Sequence, residues 1–357
     1  MSCGTILVTG CSGRMGFKAV ECFMKNYHVV GFDVFFAGDF PGTELVSVDM
    51  ASDESVDCGL DYVKKKYGNK LVAVIHLASY CNFSGGGWSS YQSITVDGTR
   101  RLLDGLRRDF ICEQFVFLST MFVHAPCLPG EKITENWPVE PKWHYPKSKV
   151  LVEKLMYELR GEMSIVSMRI AGVYDDRCHS TRLANQIQRI YENQLEGHVF
   201  PGDISHGVAF VHMDDVIESF RLAVEKRKEL PSELTLLIGE EETLSYDELQ
   251  RRFSYSIYGK EWNTVSLPKS LAKIGARIGR YLPFRKKSVI QAWRIELADE
   301  HYELDVSKAR KFLNWIPKRS LKSTYPLWIE ELKKEPLAWY HENKLTPSSW
   351  VAKQKSR

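Results

Sequence analysis

The sequence predicts an α/β protein: a doubly wound parallel sheet, covered by helices on both faces, with a smaller second lobe. Three observations lead there. Short apolar runs recur through the first half of the chain, separated by segments whose apolar residues fall at steps of three and four. The short runs are apolar throughout rather than alternating, as in strands buried on both faces between two helical layers. After about residue 175 the alternation gives way to short strands, helices and Pro/Gly turns, the pattern of a lobe packed on the sheet's C-terminal edge.

Taken in order, "TILVTG" (5–10) is a buried strand ending in glycine, and "RMGFKAVECFMKN" (14–26) is a helix. Further strands are predicted over 28–34, 44–50, 70–79, 113–120 and 164–174, with helices over 54–66, 90–109 and 145–160. Residues 208–225 again read as strand plus helix, so the lobes are interleaved in sequence. The resulting division is a dinucleotide-binding domain over 1–175 with 208–230 returning to it, a substrate lobe over 176–207 and 231–335, and a surface tail over 336–357.

The chain's 357 residues are enough for a large core. With 44% hydrophobic and 26% charged residues, it is neither disordered nor collagen-like. A net charge of +3 gives no support for a nucleic-acid partner. The 8 cysteines form no CxxC pair and lie mostly within apolar runs, which reads as buried reduced thiols of a cytoplasmic protein. "MSCGTILVTG" lacks the basic start and long apolar core of a signal peptide, and no apolar run approaches the roughly 20 residues of a membrane span.

"VTGCSGRMG" places Gly10, Gly13 and Gly16 between the first strand and the first helix, with Asp33 ending the second strand. Glycines there let the backbone turn tightly and approach a pyrophosphate, whose charge is stabilised by free N–H groups at the helix start. Asp33 would accept hydrogen bonds from ribose hydroxyls and repel a 2′-phosphate, which favours NAD over NADP; Arg14, inside the loop, pulls the other way.

"HYPKSK" (144–149) sets Tyr145 at a helix entrance, because Pro146 is tolerated only in a first turn. Counting back from Met156 and Val152 puts Lys149 in line with the apolar stripe, where a cation needs partners. The ribose hydroxyls of a dinucleotide would serve, and the ammonium is expected to lower the pKa of Tyr145 toward working pH. So tuned, Tyr145 could exchange a proton with a carbinol while a hydride moves to or from nicotinamide. "FLSTMFVH" (117–124) brings Ser119 and Thr120 to the sheet's C-terminal edge, where hydroxyls could bond the substrate oxygen.

The chain resembles the extended short-chain dehydrogenase/reductases, the NAD-dependent epimerase/dehydratase family. The resemblance rests on "TGCSGRMG" (9–16), Asp33, "VDM" (48–50), "HLAS" (76–79), "LST" (118–120), "YPKSK" (145–149), "MRIAGVY" (168–174), "FVHMDDV" (210–216) and "LDVSKARKFLNWIPKRSL" (304–321). It implies a Rossmann-like domain, a smaller substrate lobe and a homodimer built on the 90–109 and 145–160 helices. It implies catalysis by Thr120, Tyr145 and Lys149, with Tyr145 as acid/base. The cofactor would be lined by Gly10, Gly13, Arg14, Met15, Gly16, Asp33, Asp49, Met50, Leu77, Ala78 and Ser79, besides Tyr145 and Lys149.

Two departures bear on substrate. Nucleotide-sugar enzymes of the family usually carry asparagine where this chain has Gly172, and often a basic residue where it has Val208. Thr95 also replaces a usual asparagine. Arg182 and His206 are the replacements available to hold a diphosphate, and Ser119 is a further candidate substrate contact. A nucleotide sugar is slightly favoured; a 3β-hydroxysteroid- or dihydroflavonol-type lipophilic alcohol is the alternative, and a non-catalytic NAD sensor a third. "VHMDD" (211–215) lacks a third ligand at matching spacing, so no metal is expected. In 267–287 the apolar line Leu271, Ile274, Ile278 and Leu282 runs beside Lys269, Lys273, Arg277 and Arg280. This is either a core-packed helix or a weak membrane-surface contact.

Overall fold

The computed structural model describes residues 4–36, 40, 42–82, 86–279 and 295–353. Seven parallel strands form the main sheet: β1 (Thr5–Thr9), β2 (His28–Asp33), β3 (Glu44–Ser47), β4 (Lys70–His76), β5 (Gln114–Thr120), β6 (Ser164–Ile170) and β7 (Glu233–Ile238). Their spatial order is β7-β6-β5-β4-β1-β2-β3, and Ile111–Cys112 adds a short pairing beside β4. The chain runs outward from β1 through β2 and β3, then returns to the other side of β1 as β4. The crevice between β1 and β4 is therefore the topological switch point, where open α/β sheets bind ligands. Register brings Thr9 level with Phe32 and His76, so Gly10, Asp33 and Leu77 leave the sheet side by side.

Helices α1 (Arg14–Phe23), α2 (Asp53–Tyr67), α3 (Asp97–Asp109) and α4 (His144–Leu159) fill the crossovers. One core joins α1 and the helix Met213–Glu225 to the sheet through Val20, Phe23, Val216 and Phe220. The opposite face is packed by α2, α3 and α4 through Leu60, Leu102, Leu106, Val152 and Met156. A third core, around Leu183, Ile187, Phe253 and Trp328, belongs to the second lobe.

The structure redraws four sequence expectations. The stretch 164–174 is not one strand: after Ile170 the chain leaves the sheet, and Gly172–Tyr174 pairs instead with Phe210–His212. Glu233–Ile238, assigned from sequence to the smaller lobe, is the edge strand of the sheet against β6. Residues 90–109 are not a regular α-helix: a π-helical stretch, Tyr91–Val96, precedes α3. The polar stretch from 336 is more than a surface tail, because Trp339, Tyr340 and Val351 are buried in the third core; residues 354–357 lie outside the described ones.

The basic segment 267–287 is described only to Gly279. In its helix Lys269–Gly279, Leu271 and Ile274 are exposed rather than turned to the core, while Lys269 pairs with Asp299 and Lys273 with Glu296. Among the described residues no helix is long and apolar enough to cross a membrane.

Candidate active site

The C-terminal ends of β1, β2, β4 and β5 meet at one edge. Gly10 takes φ +70°, and a Cβ there would meet the Ala78 backbone N at 2.8 Å, so the strand-β4 loop itself requires this glycine. Gly13 differs, since its Cβ would meet only the Gly10 carbonyl at an ordinary 3.4 Å. Protein packing does not demand it, and the glycine leaves room for the close approach of a ligand. It begins α1 without a side-chain cap and with no acid in the first turn, leaving the positive helix end available to an anion. Asp33 accepts from Ser12 N at 2.9 Å and from Val34 N at 2.8 Å, which fixes its carboxylate beside the loop. Arg14 turns the other way: its guanidinium donates to the His179 carbonyl at 3.1 Å and lies 4.0 Å from Asp175. This geometry fits a dinucleotide, with the cation that could have held a 2′-phosphate engaged elsewhere.

A buried relay that sequence reasoning missed holds the β4 end. Ala78 N donates to Thr9 Oγ1 (3.2 Å), and Thr9 to His76 Nδ1 (2.7 Å). The opposite ring nitrogen, Nε2, donates to Thr99 Oγ1 (2.8 Å), which donates to the Thr95 carbonyl (2.6 Å). Each hydroxyl both donates and accepts, so the proton positions are fixed along the chain. Burial pushes the His76 pKa down to about 3, helped by Lys149. Tyr80 N donates to Thr95 Oγ1 at 2.9 Å, so Thr95 anchors Tyr80 from the π-helical stretch. The only signal in sequence was the histidine of "HLAS" at a strand end. Leu77, Ala78 and Ser79 follow directly at the sheet's C-terminal edge, while Asp49 caps its own turn through Ala51 N (2.8 Å) and Met50 is buried against Gly98. Met15 is half-buried in the first turn of α1.

Lys149 is fully buried, as the stripe required. Its Nζ donates to the Leu118 carbonyl at 2.8 Å and lies 4.8 Å from the Phe117 ring centroid and 5.5 Å from that of Tyr145. Desolvation pushes its pKa down to about 8. The expected lowering of the Tyr145 pKa is not what this structure shows. Burial raises it well above the ordinary phenol value, with Cys81 and Tyr91 adding to the rise, so the phenol keeps its proton. The ammonium is aimed at a main-chain carbonyl, and its attraction does not offset the loss of solvent around a phenolate.

Thr120 and Ser119 separate as successive strand residues must. Thr120 ends β5, 4% exposed, and its hydroxyl accepts from Phe122 N at 3.3 Å. Ser119 points into the interior, donating to Glu153 Oε1 at 2.6 Å, so it is no substrate contact. Glu153 also receives Ser167 (2.9 Å) and both Nε (3.1 Å) and Nη2 (2.6 Å) of Arg169. Arg169 Nη1 reaches His124 Nε2 at 3.0 Å, while His124 Nδ1 donates to the Trp137 carbonyl at 3.0 Å. Burial favours a neutral Glu153, but the Arg169, Ser119 and Ser167 hydrogen bonds outweigh it and hold the carboxyl below its usual range.

Gly172 and Val208 do not line an open pocket. A Cβ on Gly172 would meet the Phe210 ring at 2.9 Å, and Val208 is buried beside Tyr302. Their departures from the nucleotide-sugar pattern follow from local packing. His206 is held by its Nδ1 on the Asp299 carbonyl at 2.5 Å. Arg182 is exposed, yet surrounding protein pushes its pKa down while Glu300, Tyr302 and Tyr246 pull it up.

Asp176, His212 and Asp214 gather near α1. His212 Nδ1 accepts from Asp214 N at 3.1 Å, which leaves the ring proton on Nε2, 3.3 Å from Asp176. Lys18 and Arg319 balance the carboxylates. The three belong to an ion-pair network with Lys18 and Arg319, in which His212 Nε2 makes no hydrogen bond among the described residues.

Strand order, glycine loop and the Tyr145–Lys149 helix define a dinucleotide-binding α/β protein. The chain belongs to the NAD-dependent epimerase/dehydratase family, which it matches over residues 6–239, and is an NAD-dependent enzyme of the extended short-chain dehydrogenase/reductase type. No curated protein sequence matches it. Similar solved structures include MoeE5 in complex with UDP-glucose and NAD, at 21% identity and TM-score 0.67, covering 93% of this chain and 100% of that one. The UDP-glucose 4-epimerase of Thermotoga maritima, with UDP-glucose, shares 20% identity and a TM-score of 0.68 over 92% of this chain and 99% of the other. The UDP-glucuronic acid 4-epimerase of Bacillus cereus, in complex with UDP-glucuronic acid and NAD, shares 21% and a TM-score of 0.68 over 92% and 99%.

Proposed function

We propose that this protein moves a hydride at a carbinol or carbonyl carbon of a nucleotide sugar, with Tyr145 as the acid/base. The observation that carries the chemistry is a fully buried lysine, Lys149, one turn beyond Tyr145 at the edge that holds the glycine loop. Gly10, Gly13, Met15, Gly16, Asp33, Asp49, Met50 and Leu77–Ser79 would hold NAD, with Lys149 toward the nicotinamide ribose. NAD, when bound, accepts the hydride and can return it. Tyr145 holds its proton on the phenolic oxygen, ready to give it to a carbonyl oxygen; in the opposite direction the phenolate left by that transfer would take the proton of a carbinol. Thr120 would hydrogen-bond that same oxygen and orient it. A sugar-type substrate is supported by the exposed cation Arg182 of the second lobe, and by the sugar nucleotides held in the similar structures.

A second reading, dehydrogenation of a lipophilic alcohol, is favoured by one observation: the two usual diphosphate positions are closed by Phe210 and by the packing of Val208. The exposed Leu271 and Ile274 would then offer the weak membrane-surface contact. Thermal-shift titration of the NAD-loaded protein with UDP-glucose against a hydroxysteroid separates the two; a shift with the steroid alone would replace the first reading by the second. Tyr145→Phe should lower turnover by about 10²–10⁴-fold while leaving NAD affinity within a few fold. Retention of most activity would remove Tyr145 from its role.

A homodimer through α3 and α4 completes the proposal. It is supported by the half-exposed Leu151 and Tyr157 on α4 and by an apolar groove between Trp88, Pro141, Val150 and Leu151. Sedimentation showing only monomer at micromolar concentration would exclude it. A cytoplasmic setting suits the buried thiols Cys11, Cys112 and Cys178.

A further inference from the structure

A tight turn, Asp175–His179, stands where the chain passes into the second lobe. Its backbone closes on itself: Cys178 N donates to the Asp175 carbonyl at 3.0 Å, and Asp175 N to the Cys178 carbonyl at 3.2 Å. Cys178 takes φ +78° and His179 φ +44°, a left-handed conformation that residues with a Cβ rarely hold unless their surroundings impose it. The C-terminal segment imposes it. Asn343, directly after the helix Pro336–Glu342, accepts through Oδ1 from His179 N at 2.9 Å, and its Nδ2 donates to the Arg177 carbonyl at 3.2 Å. One side chain thus bonds the residues on both sides of Cys178, which is fully buried in the third core. Trp328 Nε1 adds a bond to the Asp175 carbonyl at 2.8 Å, and Arg177 pairs with Glu342 at 2.6 Å. The Asp175 carboxylate is fixed as well, accepting from Arg177 N at 2.9 Å with His179 Nδ1 at 2.6 Å.

So held, the turn presents two acceptors to Arg14 of the glycine loop: the His179 carbonyl, 3.1 Å from Nη2, and the Asp175 carboxylate, 4.0 Å from Nη1. Among the described residues these are the polar partners of that guanidinium. The Arg14 side chain is 54% exposed, so packing does not keep it there. Its backbone starts near Asp33, because Ser12, two residues earlier, donates its N–H to the Asp33 carboxylate at 2.9 Å. Successive Cα atoms are about 3.8 Å apart, so the Arg14 Cα lies within about 7.6 Å of the Ser12 Cα, roughly the length of an arginine side chain. A guanidinium released from the turn therefore has the reach to meet a 2′-phosphate beside Asp33.

We propose that Asp175 and Asn343 are positioning residues that set the cofactor preference from the second lobe: Asn343 fixes the turn, and the turn draws Arg14 away from the place of a 2′-phosphate. This rests on the cofactor contacts proposed above and holds for either substrate reading. With Arg14 drawn off, Asp33 meets a 2′-phosphate with no cation between them, and like charges repel. The C-terminal segment, though remote in sequence from the glycine loop, thereby acts on what that loop accepts.

The experiment is calorimetry of the full-length protein with NAD and with NADP, for the wild type, Asp175→Asn and Asn343→Ala, and for each substitution combined with Arg14→Ala. Asp175→Asn keeps the backbone bonds of the turn and removes the charge that attracts Arg14. It should bind NADP about three- to tenfold more tightly than the wild type does, with NAD affinity within about twofold. Asn343→Ala, which frees the turn itself, should shift NADP in the same direction. Combined with Arg14→Ala, neither substitution should move NADP affinity by more than about twofold, because the cation they release is gone. A gain in NADP affinity is not what loosened packing produces, since that would weaken both cofactors. Should Asn343→Ala fold poorly, Asp175→Asn decides. Unchanged NADP affinity in Asp175→Asn, a gain that persists without Arg14, or equal wild-type affinities for NAD and NADP would each overturn the assignment. If neither cofactor binds the wild-type protein, the cofactor reading fails and this inference with it.

Discussion

Glu153 grips Arg169 through both carboxylate oxygens, at 3.1 and 2.6 Å, directly behind the strand end that carries Ser119 and Thr120. Both side chains are almost fully buried, and the same carboxylate takes the hydroxyls of Ser119 and Ser167. The pair ties α4, which carries Tyr145 and Lys149, to β5 and β6, so it sets how the tyrosine stands against Thr120. Removing one partner of such a pair leaves a buried charge uncompensated. Glu153→Gln should cost about 3–5 kcal/mol in urea unfolding, and Glu153→Gln combined with Arg169→Met should recover part of it. A loss below about 1 kcal/mol would show that solvent reaches Arg169 when the carboxylate is neutralised.

The cofactor preference follows from two side chains that diverge. Asp33 is fixed beside the glycine loop by two backbone N–H groups, while Arg14 is drawn to His179 and Asp175 on the far side. A 2′-phosphate would meet the carboxylate without the guanidinium. NAD should therefore bind more tightly than NADP by about 1–3 kcal/mol, and Asp33→Asn should narrow the gap. Calorimetry with both cofactors checks this, and equal affinities in the wild-type protein would mean that Arg14 swings back on binding.

Two buried histidines make stability depend on pH. Burial holds His76 down to about 3 and His124 down to about 4. At pH 7 both are neutral in the folded and unfolded chains and contribute no pH dependence. Below the unfolded value near 6.5, the unfolded state takes up protons that the folded state refuses, so stability falls as pH drops from about 6.5 toward 4. At pH 5 the loss should be about 2 kcal/mol per histidine. Urea melts at pH 7 and pH 5 measure it, and His76→Gln should flatten the slope. An unchanged slope in that variant would mean His76 is reached by water.

Much of this arrangement was legible in the sequence, for particular physical reasons. Lys149 announced itself because a charge on an apolar helical stripe is costly and must have a purpose; its burial follows directly. Gly10 and Asp33 were legible because strand, turn and strand end come at fixed spacings in a βαβ unit. The Glu153–Arg169 pair was hidden because its partners lie on different elements, brought together only by helix-on-sheet packing. Gly172 misled for the same reason: read as a missing substrate contact, it is a glycine that the Phe210 ring requires. The Tyr145 pKa was misjudged because sequence shows which charges neighbour a phenol but not how dry its surroundings are.

Arg182 offers the test of what the second lobe receives. It is exposed, with Glu300, Tyr302 and Tyr246 among its electrostatic neighbours, on the helix Thr181–Tyr191. Gly172 and Val208 supply neither charge nor donor, and His206 is already committed to the Asp299 carbonyl. A diphosphate bound by the second lobe would thus depend heavily on one guanidinium, which can bond two of its oxygens at once. Arg182→Ala should weaken UDP-glucose binding to the NAD-loaded protein by about 10–100-fold, and Arg182→Lys by less. NAD binding should not change, because the proposed cofactor contacts, the glycine loop and Asp33, lie in the other lobe. Calorimetry with UDP-glucose, with UDP alone as the control for the diphosphate, reads this directly. An alanine variant that binds both as the wild type does would show that the diphosphate is held elsewhere.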